Sequence, residues 1–334
     1  MSGERTSTNR TGFAGSGQRN WETLKRLSGR YATLLGFAGV ILAFSWARPE
    51  IFPTLANART ILDQAAPIII LATGLTVVIT TQEFDLSFPG VVLFCSVLSV
   101  QAMAAWHLGT VLAVVMGLLV GAACGLISGA LVAARRASSF ITTLAFGSIL
   151  GGLALGISHD GQSISAITND YGNLTFWRPF GIPVTLLYAG TVVLICFGLL
   201  RWTVFGRNAN AVGANEVASR LAGLPLGRVR IGAFVVMGTC SGIVSVILAS
   251  RAGGFQPGLG DGLLVPPFVA VFFGLSVLAI GKFNVLGTLA GALFIGTLET
   301  GLNMVGLSGW VADVFVGLAL IVILFAASSV RSAR

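Results

Sequence analysis

Ten stretches of apolar sequence, each close to the ~20 residues that cross a bilayer as a helix, dominate this chain. They fall at roughly 31–47, 64–82, 88–106, 109–134, 139–158, 183–201, 231–250, 263–280, 285–304 and 310–328. A backbone surrounded by hydrocarbon must satisfy its own N–H and C=O groups, which confines such a chain to a bundle of helices. Composition agrees. Hydrophobic residues supply 55% of the 334 positions and charged residues only 10%, whereas soluble domains carry about 25% charged residues. The expectation is an all-α polytopic bundle of about ten transmembrane helices over 31–328, with tails at 1–30 and 329–334.

The charges test that count. With the amino terminus inside and alternate crossings, sixteen of the twenty basic residues fall on the inner side. They include the tail set ending at Arg30, the pair Arg135 and Arg136, and Arg201, Arg207, Arg220, Arg228 and Arg230. Arg48, Arg59, Arg178 and Arg251 remain outside. Basic residues concentrate in cytoplasmic loops, so both termini are read as cytoplasmic. Residues 1–30 lack the apolar core and cleavage site of a signal peptide and read as a cytoplasmic tail, largely disordered up to about Trp21. The dispersal of basic residues at the ends of apolar runs gives no case for nucleic acid.

Glycine occurs 44 times. Gly117, Gly121, Gly125 and Gly129 recur every fourth residue, which places them on one face of a helix. Helices in lipid gain little from apolar burial and associate by close van der Waals approach, so this stripe is read as a packing surface. Gly147, Gly151 and Gly152 in the fifth run, and Gly287 and Gly291 in the ninth, are read likewise. Cys95, Cys124, Cys196 and Cys240 all lie in apolar runs without ligand-like neighbours and read as buried thiols.

The longest polar interruption is 207–230, RNANAVGANEVASRLAGLPLGRVR. It holds a short helix candidate. Asn215 suits an N-cap, Glu216 lies in the first turn, and Gly223 with Pro225 stops the helix. Val217 and Leu221 share a face. The segment reads either as a docking surface for another protein or as a solvated topogenic loop. Two outer segments, 159–182 and 251–262, read as exposed loops or as a surface for a soluble partner. Arg251 and Asp261 are then available for ion pairs across that contact.

Enzymatic signatures are missing. There is no G-x-x-x-x-G-K-[ST] phosphate loop, HExxH, GxSxG or CxxC in the sequence, so the chain does not bind ATP in the P-loop manner. Acids in or beside spans are costly and face a cavity or partner. Glu299 lies deepest, while Asp85 and Asp313 lie near span ends.

Four ordered stretches carry a resemblance. The first, running from Phe52 to Gly90, ends in a D-L-S turn and matches at Asn57, Gln64, Gly74, Asp85, Leu86 and Ser87. The second matches at Gly125, Gly129, Phe140, Ile141, Thr143, Leu144 and Gly151. The third, VGANEVASRLAGL, matches at Gly213, Asn215, Glu216, Ala218, Arg220, Leu221 and Gly223. The fourth matches at Gly287, Thr288, Gly291, Ala292, Gly296, Leu298, Gly301, Leu302 and Asn303. Over most of residues 50–327 the chain resembles the ribose-type ABC importer permeases of bacterial inner membranes, which carry sugars, autoinducer-2 and related polyols.

That resemblance implies a translocation subunit without catalytic, cofactor or metal sites of its own. ATP and Mg belong to a separate ABC ATPase. A soluble binding protein delivers the solute outside, and a second permease copy or paralogue completes the pathway within the lipid bilayer. Residues 213–224 become the coupling helix. Gln64, Asp85, Ser87, Glu299 and Asn303 become candidate pathway-lining residues. The chain departs from the pattern at Gln82 and Glu83, where the family usually has a Gly pair; at Phe88-Pro89; at Pro266, Pro267 and Phe268; and at Glu299, which replaces an Asn. The open alternatives are an ABC permease for branched-chain amino acids or nucleosides, and an ion-coupled secondary carrier.

Overall fold

A computed structural model describes residues 35–134, 138–165, 167–277 and 282–331. The tail 1–30, Arg135, Arg136 and the last three residues lie outside the described residues. Thirteen α-helices are described: α1 Leu35–Ala47, α2 Leu55–Thr80, α3 Phe88–Ala104, α4 Thr110–Ala134, α5 Ser139–Ile157, α6 Asn169–Phe176, α7 Val184–Trp202, α8 Val204–Ala214, α9 Glu216–Leu221, α10 Leu226–Ala252, α11 Val265–Val277, α12 Val285–Met304 and α13 Gly309–Arg331. No strand is named among the described residues; an isolated antiparallel bridge joins Ile164 to Phe255. Each of the ten apolar runs carries a helix. Six of these, α2, α4, α5, α7, α10 and α12, are long and apolar enough to cross a membrane; α1, α3, α11 and α13 give shorter apolar stretches.

Helix α2 starts nine residues before its apolar run. The Thr54 side chain accepts from the Asn57 amide, so the polar turns Asn57–Asp63 join the helix. From Ala65 to Thr80 every residue is buried, as expected of a helix apolar all round. Pro67 lies inside it. Proline has no N–H, so the carbonyl four residues back, that of Asp63, loses its helical partner. Arg251 Nη2 fills the gap, donating to Asp63 O at 2.7 Å and to its carboxylate Oδ1 at 2.6 Å.

A second ion pair binds the same two helices at their other ends. Arg230, in the first turns of α10, places Nε 2.6 Å from Glu83 Oε1, just beyond α2. The early part of α2 thus meets the end of α10, and the end of α2 meets its start. The two helices are antiparallel. Asp63 and Glu83 are 20 positions apart and Arg230 and Arg251 are 21. At 1.5 Å per residue the two ion-pair layers are about 30 Å apart, the thickness of a bilayer's hydrocarbon.

Around this pair the packing repeats. Helix α3 packs on α4, α5 and α10; α11 packs on α12, α13 and α2. Helix α4 packs on α10 as α12 packs on α2. The α2–α5 arrangement is therefore reproduced by α10–α13, and because α2 and α10 run oppositely, the two repeats are inverted.

The α4–α10 contact depends on glycine. Gly117, Gly121, Gly125 and Gly129 are all buried. A Cβ at Gly125 would strike the Phe234 carbonyl, one at Gly121 the Gly238 carbonyl, and one at Gly129 the Ile231 backbone. Gly238 and Gly242 return the approach from α10. Helix α5 behaves differently. Gly147 packs against Ser87, but a Cβ on Gly151 or Gly152 meets nothing within 4 Å. Their spacing alone cannot distinguish a packed face from an open one. Hydroxyls add links between helices, with Thr76 and Thr288 Oγ1 atoms 2.7 Å apart between α2 and α12.

Gly125→Leu is expected to cost at least ~1–3 kcal/mol, because a closely packed contact must open. Folded yield in detergent falls and the thermal midpoint drops, as read by fluorescence-detected size-exclusion chromatography. Gly152→Ala, on the open face, leaves both unchanged.

Candidate functional site

The polar segment folds as two short helices and the start of a long one. Thr203 caps α8 by accepting from the Gly206 amide at 3.2 Å. Asn215, extended at φ −159°, separates α8 from α9 and accepts from the Ala218 amide at 2.9 Å. At the far end Gly223 takes φ +76°, and the Leu224 and Gly223 amides donate to Ser219 and Arg220 carbonyls at 3.0 Å each. This paired closure needs a left-handed residue, which glycine supplies at least cost. Pro225 follows. The two stop signals in the sequence therefore have separate jobs.

Helix α9 buries Ser219 and leaves the opposite face uncovered. Val217 is 69% and Leu221 85% exposed, and Ala218, Arg220 and Gly223 are exposed beside them. Gly213 is placed differently from the rest of the predicted set. It lies against the end of α2, where a Cβ would strike the Thr80 carbonyl. It sets the approach of the segment to the bundle.

Glu216 is held from two sides. Arg220 Nη2 donates to its Oε1 at 2.6 Å, and Arg230 Nη2 donates to its Oε2 at 2.8 Å. Partial burial opposes its charge, but the Arg230 and Arg220 guanidiniums outweigh that and hold Glu216 below the usual carboxylate range. Arg230 also reaches Glu83, whose Oε1 is 2.6 Å from Nε, near enough for charge attraction but out of line for a hydrogen bond. The Glu83–Arg230–Glu216 cluster was not apparent from the sequence. The visible signal was Glu83, a carboxylate two positions before Asp85, where the resemblance leads one to expect glycine.

Glu83 belongs to the turn between α2 and α3, which opens with Gln82 in the left-handed region at φ +62°. A glycine would fit there without strain. Asp85 and Ser87 are both buried. Asp85 Oδ1 accepts from the Ser87 amide at 2.8 Å and from its hydroxyl at 2.6 Å. Ser139 and Thr143 of α5 accept from the Phe84 and Leu86 amides at 3.1 and 2.9 Å.

The remaining predicted residues meet elsewhere. Gln64 of α2 and Glu299 and Asn303 of α12 line one cavity of about 350 Å³ with Thr60, Thr300 and Met304. Asp85 and Ser87 are not among its lining residues. Arg251, expected to serve an external contact, is instead bound to Asp63, which also accepts from Thr185 Oγ1 and lies 3.9 Å from Arg178. The segment 159–182, expected as an outer loop, contains α6. Thr168 caps α6, and it buries Tyr171 completely. Ile164 and Phe255 exchange backbone hydrogen bonds at 3.0 and 2.9 Å, tying segments 159–182 and 251–262 together.

A helical membrane bundle with a polar cavity and an uncovered short helix has the features of a transport subunit. The family described as "Branched-chain amino acid transport system / permease component" matches residues 57–324. The chain belongs to this family. It is 31% identical over 282 residues to the ribose import permease of Escherichia coli (strain K12), covering 83% of this chain and 87% of that one. It is 33% identical over 290 residues to the ribose import permease of Bacillus subtilis (strain 168), covering 86% and 89%. It is 28% identical over 275 residues to the D-allose transport system permease of E. coli (strain K12), covering 82% and 84%.

Because the Glu216 pKa is depressed in the folded chain, its contribution to stability is present above the ordinary value of 4.5 and is lost as pH falls through the lowered folded value. Amide protection across α9 is expected to weaken on acidification below that range. The Glu216→Gln chain, as reference, lacks this acid-dependent component.

Proposed function

We propose that this chain is the transmembrane permease subunit of an ATP-driven ABC importer in the bacterial inner membrane, with ten crossings and both termini cytoplasmic. The observation that carries the proposal is the uncovered apolar face of α9 in a chain that belongs to a permease family. A folded surface helix normally turns its apolar side inward. Here Val217 and Leu221 face outward while the charges of Glu216 are satisfied within the chain. An ABC ATPase is the partner. It holds the ATP and Mg, seats α9 as a coupling helix, and passes nucleotide-driven closure to the bundle. Arg207, exposed on α8, complements acids on that partner.

The solute is a sugar or sugar-like polyol, delivered outside by a soluble binding protein. The relatives named for ribose, arabinose and allose support this reading. So does the cavity. Gln64, Asn303, Thr60, Thr300 and Glu299 offer amide, hydroxyl and carboxylate groups that pair with hydroxyls, and among the described residues no cation lines it to receive an amino-acid carboxylate. Its volume falls within the ~300–1,000 Å³ of small-molecule sites. A second permease copy or paralogue completes the pathway. The inverted repeats suit alternating access, in which related halves rock about a shared centre.

Val217→Asp with Leu221→Asp is expected to abolish co-purification of the ATPase while folded yield stays at the wild-type level. Retention of the ATPase by that variant overturns the docking role. Gln64→Ala and Asn303→Ala are each expected to raise the KM for sugar uptake about tenfold, the effect of losing one or two hydrogen bonds to the bound sugar.

A further inference from the structure

We propose that Arg230 is a positioning residue that carries displacement of the docking helix α9 into the Gln82–Ser87 turn and on to the start of α5. This rests on the docking role given to α9 above. Among the described residues, Arg230 is the cation paired with both Glu83 of the turn and Glu216 of α9. Its side chain is 17% exposed and that of Glu83 13%, so their attraction is screened less than that of a surface pair. Arg220, on α9 itself, also holds Glu216 but is 68% exposed and, among the described residues, makes no ion pair to the bundle.

The turn is in turn fixed to α5. Its Phe84 and Leu86 amides donate to Ser139 and Thr143, and Gly147 lies against Ser87. From α9, the route therefore passes through Glu216, Arg230 and Glu83 to two backbone amides held by α5 hydroxyls. A second contact stiffens it, since Gly213 abuts the end of α2 at Thr80. Without Arg230, two carboxylates face a shared space with no cation between them, and repulsion separates the segments that the guanidinium joins.

Hydrogen exchange at the Phe84 and Leu86 amides, measured on the full chain in lipid nanodiscs without an ATPase, tests the route. Glu216→Gln, on α9, is expected to speed exchange at both amides about three- to tenfold. Glu83→Gln is expected to do the same. Adding Glu216→Gln to Glu83→Gln is expected to change nothing further, because the route is already broken. Arg230→Lys preserves most of the protection, whereas Arg230→Met loses it. Unchanged exchange in Glu216→Gln, or additive effects in the double variant, overturns the proposal. The Val217→Asp, Leu221→Asp chain keeps wild-type exchange at these amides, so a failed docking role and a failed route give different results.

Discussion

Helix α10 is held by contacts that lipid cannot supply, and the bundle is arranged around it. On one side its backbone meets that of α4 through Gly121, Gly125 and Gly238, at separations that any Cβ would prevent. On another it is tied to α2 by an arginine at each end. In hydrocarbon, apolar side chains gain nothing by leaving lipid for protein, so packing density and polar pairs must specify which helices touch. Exposed leucines along α4 and α5, such as Leu119, Leu126, Leu144 and Leu153, carry no such information. The glycines and arginines do.

The two ion-pair layers are chemically different. The Arg251 layer compensates for a defect. Pro67 leaves the Asp63 carbonyl without its helical donor, and Arg251 supplies one together with a countercharge. It joins α2, α7 and α10 through the same carboxylate. The Arg230 layer binds elements of unequal stability. Helix α9 has six residues and buries little, whereas α2 is buried along most of its length. With few buried contacts of its own, α9 is a lightly held element on a rigid centre.

The positions at which the chain departs from the pattern expected of the resemblance take on physical meaning here. Gln82 accepts a left-handed backbone that glycine would adopt freely, and Glu83 beside it brings the carboxylate that engages Arg230. Glu299 adds an acid to a cavity otherwise lined by neutral groups. These residues read as substitutions in the sequence. Their distant neighbours, Arg230 for Glu83 and Gln64 for Glu299, lie more than a hundred positions away, and periodicity does not connect such distant residues.

Local chemistry was legible in the residues themselves. Apolar length yields helices, since a membrane leaves the backbone no other way to satisfy its hydrogen bonds. Asn215, Gly223 and Pro225 delimit α9 because capping is a short-range matter. Which faces meet was settled only by the assembled bundle. Gly125 and Gly152 look alike in sequence, yet one touches a neighbouring backbone and the other touches nothing. Arg251 looks available to a partner until Pro67 leaves a carbonyl for it to fill. The physical reason is range: a cap or a span depends on residues within a few turns, whereas a contact depends on where the whole chain brings its distant parts.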